Sequence, residues 1–348
     1  MHAPCFAYNL MDEVGLIHGM EAVIMRAVNR RTMMGMGVAA VTMSRGITAF
    51  AQTPEASPAS SPVTGEREVV HAQGTTYVPL FPERVLAMGD EWILTDLLEL
   101  GITPVASSST YGDRFIGIPE EQTEGIETFS LFTGLDVEQL VAIAPDLIVV
   151  PDYVFGYLDG LYETLSQIAP TVSIAATSRS REAFVELAAV FGLEADAEAI
   201  LSTLDADIAA AKAELALDGQ TVTLATVYPG EPSVTLWLTT VLVEAEMLVD
   251  LGLTLVPDAE DYEVDQLGRA YLSVEQVNAI TGETLIMLQT TDSDEENATY
   301  DAVIGDALWG TIPAVQNDRV FVVERIGYPG TVSGRRDLLA AYRGIFGA

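Results

Sequence analysis

The sequence has 348 residues and a formal net charge of -35, from 16 Lys and Arg against 51 Asp and Glu. Its length is enough for two domains with a sizeable core. So acidic a composition argues against nucleic acid as a partner, because a polyanion needs clustered basic side chains to displace its counterions. The one cysteine, Cys5, precedes every segment with a folded pattern, so an intrachain disulfide is impossible and no redox role is expected.

The first 51 residues have the pattern of an export signal. Arg30-Arg31 precedes a moderately apolar run that ends in a small-x-small cleavage site at Ala49–Ala51. An arginine interrupts this run, and the uninterrupted part is shorter than the ~20 residues that span a membrane. We therefore expect a twin-arginine-like signal over residues 1–51, with a membrane anchor as the alternative. Residues 52–66 are rich in Pro, Ser and Ala, which predicts a disordered linker.

Beyond the linker, apolar strand patterns alternate with helix patterns, which predicts an α/β protein with mainly parallel sheets. Residues 107–134, rich in Ser, Gly and aromatics, are expected to form a long loop at the rim of a pocket. The predicted strands are a hairpin over Val69–Val78, then Arg84–Met88, a strand beginning at Pro104, Leu147–Val150, Thr171–Ala175, Thr221–Val227, Leu285–Leu288 and Val320–Val323. The predicted helices are Glu91–Glu99, Leu161–Ile168, Val241–Leu251 and Leu338–Phe346.

One sequence motif occurs twice, as V-E-Q-[LV]-x-A-I within Leu135–Val150 and again within Leu272–Leu288. Each copy starts with a capping pair three residues apart, which predicts a first helical turn, and each closes into an apolar strand. The repetition predicts two halves of similar plan, and each half presents one exposed glutamate, Glu138 or Glu275. The capping pairs are Asp136 with Gln139 and Ser273 with Gln276, and the expected helix stops are Pro145 and Gly282.

A long helical segment lies between the two copies of the motif. Residues Ser180–Leu217 show helical spacing of apolar side chains, broken only around Gly192–Asp196. We expect this segment to connect the two halves. The predicted organisation is an N-terminal lobe over residues 67–178, a helical connector over 179–217 and a C-terminal lobe over 218–348.

Several segments together resemble one protein family, the substrate-binding proteins of iron–siderophore and cobalamin ABC importers. The resemblance covers most of residues 69–346, and its most characteristic stretch is LDVEQLVAIAPDLIVV. Two departures, at Gly282-Glu283 and at Met88–Trp92, leave the fold untouched and leave the ligand open. The segments that carry the resemblance are His71–Pro79, Pro82–Ala87, Leu98–Ala106, Leu135–Val150 and Leu308–Val320.

The resemblance implies two Rossmann-like lobes joined by a single long helix, with a ligand held between them and little hinge motion. It also implies an exported protein, periplasmic or at the cell surface, that captures a ferric siderophore and delivers it to an ABC permease. Cobalamin or haem is the alternative ligand, and we expect a monomer without a resident cofactor. Glu138 and Glu275 stand at positions whose glutamates dock onto permease arginines, with an ordinary helix-start preference as the alternative.

Candidate ligand residues follow from the expected sheets, because ligands of open α/β sheets bind outside the carboxyl ends of the strands. The loops expected there are Met88–Trp92, Ser107–Phe115, Phe132–Gly134, Asp152–Phe155, Tyr228–Trp237 and Glu324–Arg336. Arginines can donate charge-assisted bonds to an anionic ferric chelate or form surface ion pairs, and those in these loops are Arg114, Arg325, Arg335 and Arg336. Aromatic side chains can pack on a flat ligand or on the protein itself, and the candidates are Trp92, Tyr111, Tyr153, Tyr228, Trp237 and Tyr328.

Other functional classes lack their sequence signals. The expected exported part holds one histidine, His71, interpreted as structural or as exposed near the start of the fold, so a transition-metal site is not expected. Asp292–Asn297 is acidic like a calcium loop but lacks the glycine at the sixth position, so a solvated loop is expected. No nucleophile elbow, P-loop or cysteine nucleophile is present, so an enzyme is not expected. Trp309 is assigned to the core.

Overall fold

The computed structural model describes residues 65–109, 114–115, 118–131, 134–175, 181–230, 233–291, 293–325, 328 and 330–347. The expected signal, nearly all of the expected linker and the candidate Tyr111 lie outside the described residues. Residues from Gly65 to the C-terminus form one compact unit. Within its described part, no helix has both the length and the apolarity to cross a lipid bilayer.

The described chain begins with an antiparallel hairpin, β1 (Glu66–His71) and β2 (Gly74–Pro79). Near its turn, the Nε2 atom of His71 lies 2.9 Å from the Oγ1 atom of Thr76. The Thr76 hydroxyl in turn donates to the backbone carbonyl of Thr171, 2.9 Å away. His71 therefore helps to fix the hairpin against the first lobe, in keeping with a structural histidine.

The first lobe alternates strands with helices. Its elements in chain order are β3 (Val85–Ala87), α1 (Asp90–Glu99), β4 (Ala106–Ser109), α2 (Glu120–Thr123), β5 (Glu127–Ser130), α3 (Val137–Ile143), β6 (Leu147–Pro151), α4 (Val154–Tyr157), α5 (Leu161–Ser166) and β7 (Thr171–Ile174). The strand order is β5-β4-β3-β6-β7, and all neighbouring pairs are parallel. Because the chain fills one edge from β3 to β5 and then crosses to β6, the winding direction reverses between β3 and β6.

Side chains of β6 alternate between two core clusters, one on each face of the first sheet. Leu147 and Val149 belong to the cluster that includes side chains of α1 and α6 (Arg181–Phe191). Ile148 and Val150 belong to the cluster that includes side chains of α3 and α5. All four residues are fully buried, which confirms the prediction of a strand buried on both faces.

Two helices, α6 and α7 (Glu194–Leu215), lead from the first sheet to the second. The connector helix α7 has 22 residues, and the break at Gly192 separates it from α6 as expected. Leu201 and Leu204 of α7 share a core cluster with Phe184 of α6. This packing fixes the two helices against each other.

The second lobe is a mixed sheet flanked by helices. Its elements are β8 (Thr221–Thr226), β9 (Ser233–Trp237), α8 (Val243–Asp250), β10 (Thr254–Leu255), a 3-10 turn over Ala259–Asp261, β11 (Arg269–Ser273), a 3-10 turn over Val274–Ala279, β12 (Thr284–Gln289), α9 (Asp294–Ile304), a 3-10 turn over Trp309–Thr311, α10 (Pro313–Gln316), β13 (Val320–Glu324) and α11 (Val332–Phe346). The strand order is β11-β9-β8-β12-β13, and β10 pairs with the start of β8. β9 is antiparallel to β8, and β11 is antiparallel to β9. The winding direction reverses between β8 and β12, so each sheet has one such point.

The C-terminal helix α11 contacts α1 in the first lobe, α8 in the second and the connector α7. Arg336 Nη1 lies 2.6 Å from Glu99 Oε2 of α1, and Arg335 Nη2 lies 2.8 Å from Glu246 Oε2 of α8. Two consecutive arginines thus tie α11 to both lobes. The fold is the expected pair of Rossmann-like lobes joined by a long helix, and Trp309 is buried in the core of the second lobe.

The prediction of one long loop over residues 107–134 is wrong, because this stretch contains α2, β5 and most of β4. β4 has the sequence ASSS, and serine is a typical turn residue. Its serines are buried nonetheless, since their hydroxyls find partners: Ser107 Oγ donates to the Ser108 carbonyl at 3.0 Å, and Ser108 Oγ accepts the Gly89 N–H at 2.9 Å. β4 lies between β3 and β5, and its pairing with both strands overrides the local preference of serine for turns.

Two further predictions in the second lobe are wrong. Asp292 lies outside the described residues. The rest of the acidic run is not a solvated loop, because α9 begins at Asp294 after an N-cap at Ser293. The expected loop Tyr228–Trp237 contains β9, which pairs with a strand, β11, that the sequence did not indicate. β11 has exposed Tyr271 among its residues and forms the sheet edge, where apolar patterning is weak.

Candidate functional site

Arg325 and Tyr228 lie together at the carboxyl edge of the second sheet, after β13 and β8 respectively. The Arg325 Cζ atom lies 5.2 Å from the centroid of the Tyr228 ring, which is a cation–π contact. Arg325 Nη2 donates to Thr290 Oγ1 at 2.8 Å and to Glu296 Oε2 at 2.5 Å. Its Nη1 atom is buried and has no hydrogen-bond partner among the described residues. Among the described residues, two acceptors thus fix Nη2 of the guanidinium, while Nη1 has none.

Burial governs the electrostatics of this cluster. Desolvation raises the pKa of the Glu296 carboxyl, although the charge of Arg325 and hydrogen bonds from Thr290 oppose the rise. Desolvation also raises the pKa of the Tyr228 hydroxyl, against the positive charges of Arg325 and Arg269. The Tyr228 hydroxyl therefore stays protonated and uncharged at neutral pH.

A second arginine, Arg269, stacks beside this cluster and is absent from the sequence candidates. Its Cζ atom lies 5.7 Å from the ring centroid of Trp237 and 5.5 Å from that of Tyr271, and its Nε donates to Asp265 Oδ2 at 2.7 Å. Trp237 is buried, and its Nε1 donates to Thr226 Oγ1 at 2.7 Å. Arg269 stands opposite Trp237 in the β9–β11 pair, so only that strand register would have indicated it.

In the first lobe, Gly89 and Trp92 form the passage from β3 into α1. Gly89 has a φ of 110° and donates its N–H to Ser108 Oγ at 2.9 Å. Trp92 is 2% exposed, and its Nε1 has no hydrogen-bond partner among the described residues. Tyr328 is buried in the same core cluster. Local packing, the alternative interpretation, therefore accounts for both aromatic candidates as they stand in this structure.

The segment after β13 joins the two lobes at this edge. Arg325 belongs to the second-lobe cluster, and Tyr328 is buried in the core of the first lobe. Three residues of chain span at most about 11 Å, so the two clusters adjoin. The Tyr328 hydroxyl lies 3.5 Å from Asp337 Oδ2 of α11, and burial, followed by the charge of Asp337, raises the pKa of Tyr328.

The end of β6 in the first lobe is acidic. Asp152 Oδ1 is buried without a hydrogen-bond partner among the described residues, and burial together with the charge of Asp152 raises the pKa of Glu186. The candidate Tyr153 is half-buried and packs edge-on against Tyr157, with ring centroids 6.3 Å apart. Arg114 is exposed. Among the described candidates, the buried cationic groups that suit an anionic ligand therefore lie on the second lobe.

Arg335 and Arg336 do not join this cluster. Arg335 is buried, with 8% of its side chain exposed, and pairs with Glu246, while Arg336 pairs with Glu99. Both arginines therefore form ion pairs in the structure, which is the alternative interpretation for these two candidates. The reason is their position within α11, which places them between the helices of both lobes rather than in a loop.

The two motif glutamates belong to segments that precede a central strand in each sheet, β6 and β12. In the first copy, Asp136 Oδ1 accepts the N–H of Glu138 at 2.9 Å and of Gln139 at 3.3 Å, which confirms the cap. In the second copy, the Ser273 N–H donates to Gln276 Oε1 at 3.0 Å, although a 3-10 turn follows instead of an α-helix. The exposed glutamates are Glu138 and Glu275.

Two other features of the described residues do not define a site. No group of three or more His, Cys, Asp or Glu side chains is arranged there to hold a metal ion. An open groove lined by Tyr77, Tyr162 and Thr171 lies at the amino end of β7. Because ligands of parallel sheets bind at the carboxyl ends, we take the cluster of Arg325 and Tyr228 as the candidate site instead.

The sequence pattern of the periplasmic binding protein family matches residues 87–325, more than half of the chain. The ferric enterobactin-binding periplasmic protein FepB of Escherichia coli O6:H1 is 26% identical over 294 residues, which cover 79% of this chain and 87% of that protein.

Solved structures share the fold. A FhuD-fold protein of Bacillus subtilis, a periplasmic binding protein component of a Fep/Fec-like ferrichrome ABC transporter, has a TM-score of 0.65 at 21% identity and covers 80% of this chain and 99% of its own. SirA of Staphylococcus aureus, complexed with staphyloferrin B, has a TM-score of 0.63 at 18% identity, with 81% and 97% covered. Together with the family match, the two lobes and their adjoining carboxyl edges lead to one conclusion: this chain belongs to the periplasmic binding protein family.

Proposed function

We propose that this protein is an extracytoplasmic solute-binding protein that captures a ferric siderophore between its two lobes and delivers it to an ABC permease. The names of its relatives support the ligand class, since they refer to ferric enterobactin, ferrichrome transport and staphyloferrin B. Iron is then cargo carried inside the ligand, and the protein needs no resident cofactor. It acts as a monomer that holds the chelate without making or breaking a bond.

The observation that carries this proposal is the donor geometry at Arg325. Glu296 and Thr290 fix its guanidinium and Tyr228 stacks on it, while the hydrogens of Nη1 stay unused within the described residues. A ferric siderophore surrounds its metal with oxygens that carry negative charge, and a fixed guanidinium donates charge-assisted bonds to such oxygens. The Tyr228 ring beside it offers apolar area to a flat chelating group.

Glu138 and Glu275 are the proposed contacts with the permease. Both are exposed, and each belongs to a different lobe, so a transporter can touch both halves of the loaded protein. A carboxylate near a helix start is favoured there by the helix dipole without being buried. Arginines on the permease surface would complement these two charges, and a chain of net charge -35 would be drawn towards them.

A fluorescence titration of the protein's three tryptophans tests the proposed function. Ferric trihydroxamates, ferric tricatecholates, ferric citrate, cobalamin and haem are added separately. We expect saturable quenching by at least one ferric siderophore class. A saturable response to cobalamin alone, or a Soret band formed with haem alone, would replace the ligand class, and flat responses to every probe would overturn the proposal.

A further inference from the structure

The acidic run at residues 293–297 contributes one buried side chain to the candidate site. Ser293 caps α9, and its Oγ accepts the backbone N–H of Glu296 at 3.3 Å. Glu295 is exposed, whereas Glu296 is fully buried. Burying a carboxylate is costly unless it is paired and hydrogen-bonded, so Glu296, unlike the exposed Glu295, needs partners for its charge.

Glu296 joins the ends of two neighbouring strands. Its Oε1 accepts the N–H of Thr290, just beyond β12, at 2.8 Å, and its Oε2 accepts from Arg325 Nη2, just beyond β13, at 2.5 Å. The side chains of Arg325 and Glu296 are 8% and 1% exposed, so solvent and salt screen this pair little. The two opposite charges therefore cancel inside the site itself.

The same contacts determine which nitrogen of Arg325 has hydrogen-bond donors left for a ligand. Its Nη2 is used by Glu296 and Thr290, and Tyr228 lies against the guanidinium. Its Nη1 has no hydrogen-bond partner among the described residues. The arginine thus keeps Nη1 without an acceptor among the described residues, and with Glu296 beside it the pair carries no net charge.

We propose that Glu296 is a positioning residue that acts through Arg325, so that this half of the site selects ligand oxygens by direction rather than by total negative charge. The inference rests on the proposed capture of a ferric siderophore and refines it. A neutral ferric trihydroxamate loses little affinity when Glu296 cancels the charge of Arg325. A triply anionic ferric tricatecholate gains less affinity than it would from an arginine without a neighbouring carboxylate. Glu296 thereby lets one site accept chelates of different charge.

The variant Glu296→Gln tests the inference with these two chelates as probes. Glutamine keeps an oxygen for the Thr290 N–H but removes the carboxylate charge, so Arg325 becomes an uncovered cation. We expect the ratio of tricatecholate affinity to trihydroxamate affinity to rise about tenfold over the wild-type ratio. Tryptophan quenching measures both dissociation constants, and thermal unfolding reports whether the variant is folded.

Two controls separate the positioning role of Glu296 from a general effect of the protein's charge and from a loss of folding. Glu295→Gln removes the same charge from the exposed neighbour and should leave the ratio unchanged. Arg325→Gln and the double variant R325Q/E296Q complete a double-mutant cycle. Because the ratio should follow the net charge of the pair, we expect it to fall below the wild-type ratio in Arg325→Gln and to return close to it in R325Q/E296Q, which lacks both charges. R325Q/E296Q contains no unpaired buried charge, so its ratio decides the question even where a single variant does not fold.

The outcomes are distinct. An unchanged ratio in a folded Glu296→Gln variant would make Glu296 a structural residue and overturn the inference alone. A ratio for R325Q/E296Q far from the wild-type ratio would mean that the cancelled charge of the pair does not set the preference, which also overturns it. A wild-type protein that binds neither chelate would overturn the proposed function, and the inference with it.

Discussion

Gly89 allows β3 to turn into α1 directly beside the end of β6. Its φ of 110° lies in a region that residues with a Cβ atom rarely adopt. A Cβ atom at this position would lie 2.3 Å from Pro151 Cγ and 3.1 Å from Trp92 Nε1. The position therefore combines a backbone requirement with a close approach between the two strands at which the first sheet reverses its winding.

We expect Gly89→Ala to lower the free energy of unfolding by roughly 2–3 kcal/mol, from backbone strain and overpacking together. Chemical denaturation measures the change. Gly156→Ala is the matched control, because Gly156 lies in α4 without a positive φ and a Cβ there meets nothing within 4 Å. Equal stability of the two variants would contradict this account of Gly89.

Single site residues differ in how far the sequence could predict them. Arg325 was predictable, since it follows an apolar strand directly and the carboxyl ends of parallel strands meet at one edge. Arg269 was not, because its neighbours depend on the register between two antiparallel strands. Glu296 carried a readable signal, a serine three residues before a glutamate, but the surrounding acidic residues suggested a solvated loop.

At the scale of elements, the contact between α1 and α11 encloses a carboxyl group. Asp96 of α1 is 2% exposed and accepts a hydrogen bond from the backbone N–H of Val332 at the start of α11. Its Oδ1 has no hydrogen-bond partner among the described residues. Desolvation raises the pKa of Asp96 well above its usual value, and the nearby charge of Glu99 adds to the rise.

The sign of the resulting pH dependence follows from proton binding. Because the pKa of Asp96 is higher in the folded state than the unfolded value of 3.8, the folded protein binds the extra proton. The contribution of Asp96 to stability is therefore greatest below that unfolded value. It falls as the pH rises from there towards the folded pKa, and it is constant above the folded pKa.

We expect Asp96→Asn to remove the loss of stability that the wild type shows as the pH rises. Asparagine keeps an acceptor for the Val332 N–H and carries no charge. Relative to the wild type, the variant should gain stability as the pH rises above the unfolded pKa of 3.8. Denaturant unfolding at several pH values measures the difference. A difference in stability that does not change with pH would show that Asp96 does not titrate as described.

Elements with strong apolar patterns were predictable, and those fixed by neighbours were not. β6 and β12 are continuous apolar runs buried on both faces, a pattern that few other structures share. β4 and β11 are polar in sequence and become strands through their partners. The second V-E-Q segment directly follows β11 and forms a 3-10 turn, whereas the first follows a loop and forms an α-helix.

At the scale of the whole molecule, the two exposed motif glutamates are the proposed pair of contacts with the permease. We expect the double variant E138R/E275R to abolish uptake of the ferric siderophore while its affinity for the ligand stays at the wild-type value. Charge reversal at both proposed contacts would set like charges against the arginines expected on the permease, and neither residue belongs to the candidate site. Uptake by cells that depend on this protein and titration of the purified variant provide the two measurements.

The double variant E121R/E295R is the matched control for this prediction. It changes the net charge by the same amount at two other exposed glutamates and should leave uptake unchanged. Lost affinity in E138R/E275R would place the glutamates at the ligand. Equal loss of uptake in both double variants would mean that total charge, rather than two defined contacts, governs docking.

The central claim is that the ligand is held between the carboxyl edges of both lobes. Hydrogen–deuterium exchange of the wild type, with and without the ferric siderophore that binds, tests it most directly, because protection reports where the backbone is stabilised. We expect ligand-dependent protection around Trp92 and Tyr153 in the first lobe and around Tyr228, Thr290 and Arg325 in the second, with the β1–β2 hairpin unchanged. Protection confined to one lobe, or centred on the hairpin groove, would contradict the account.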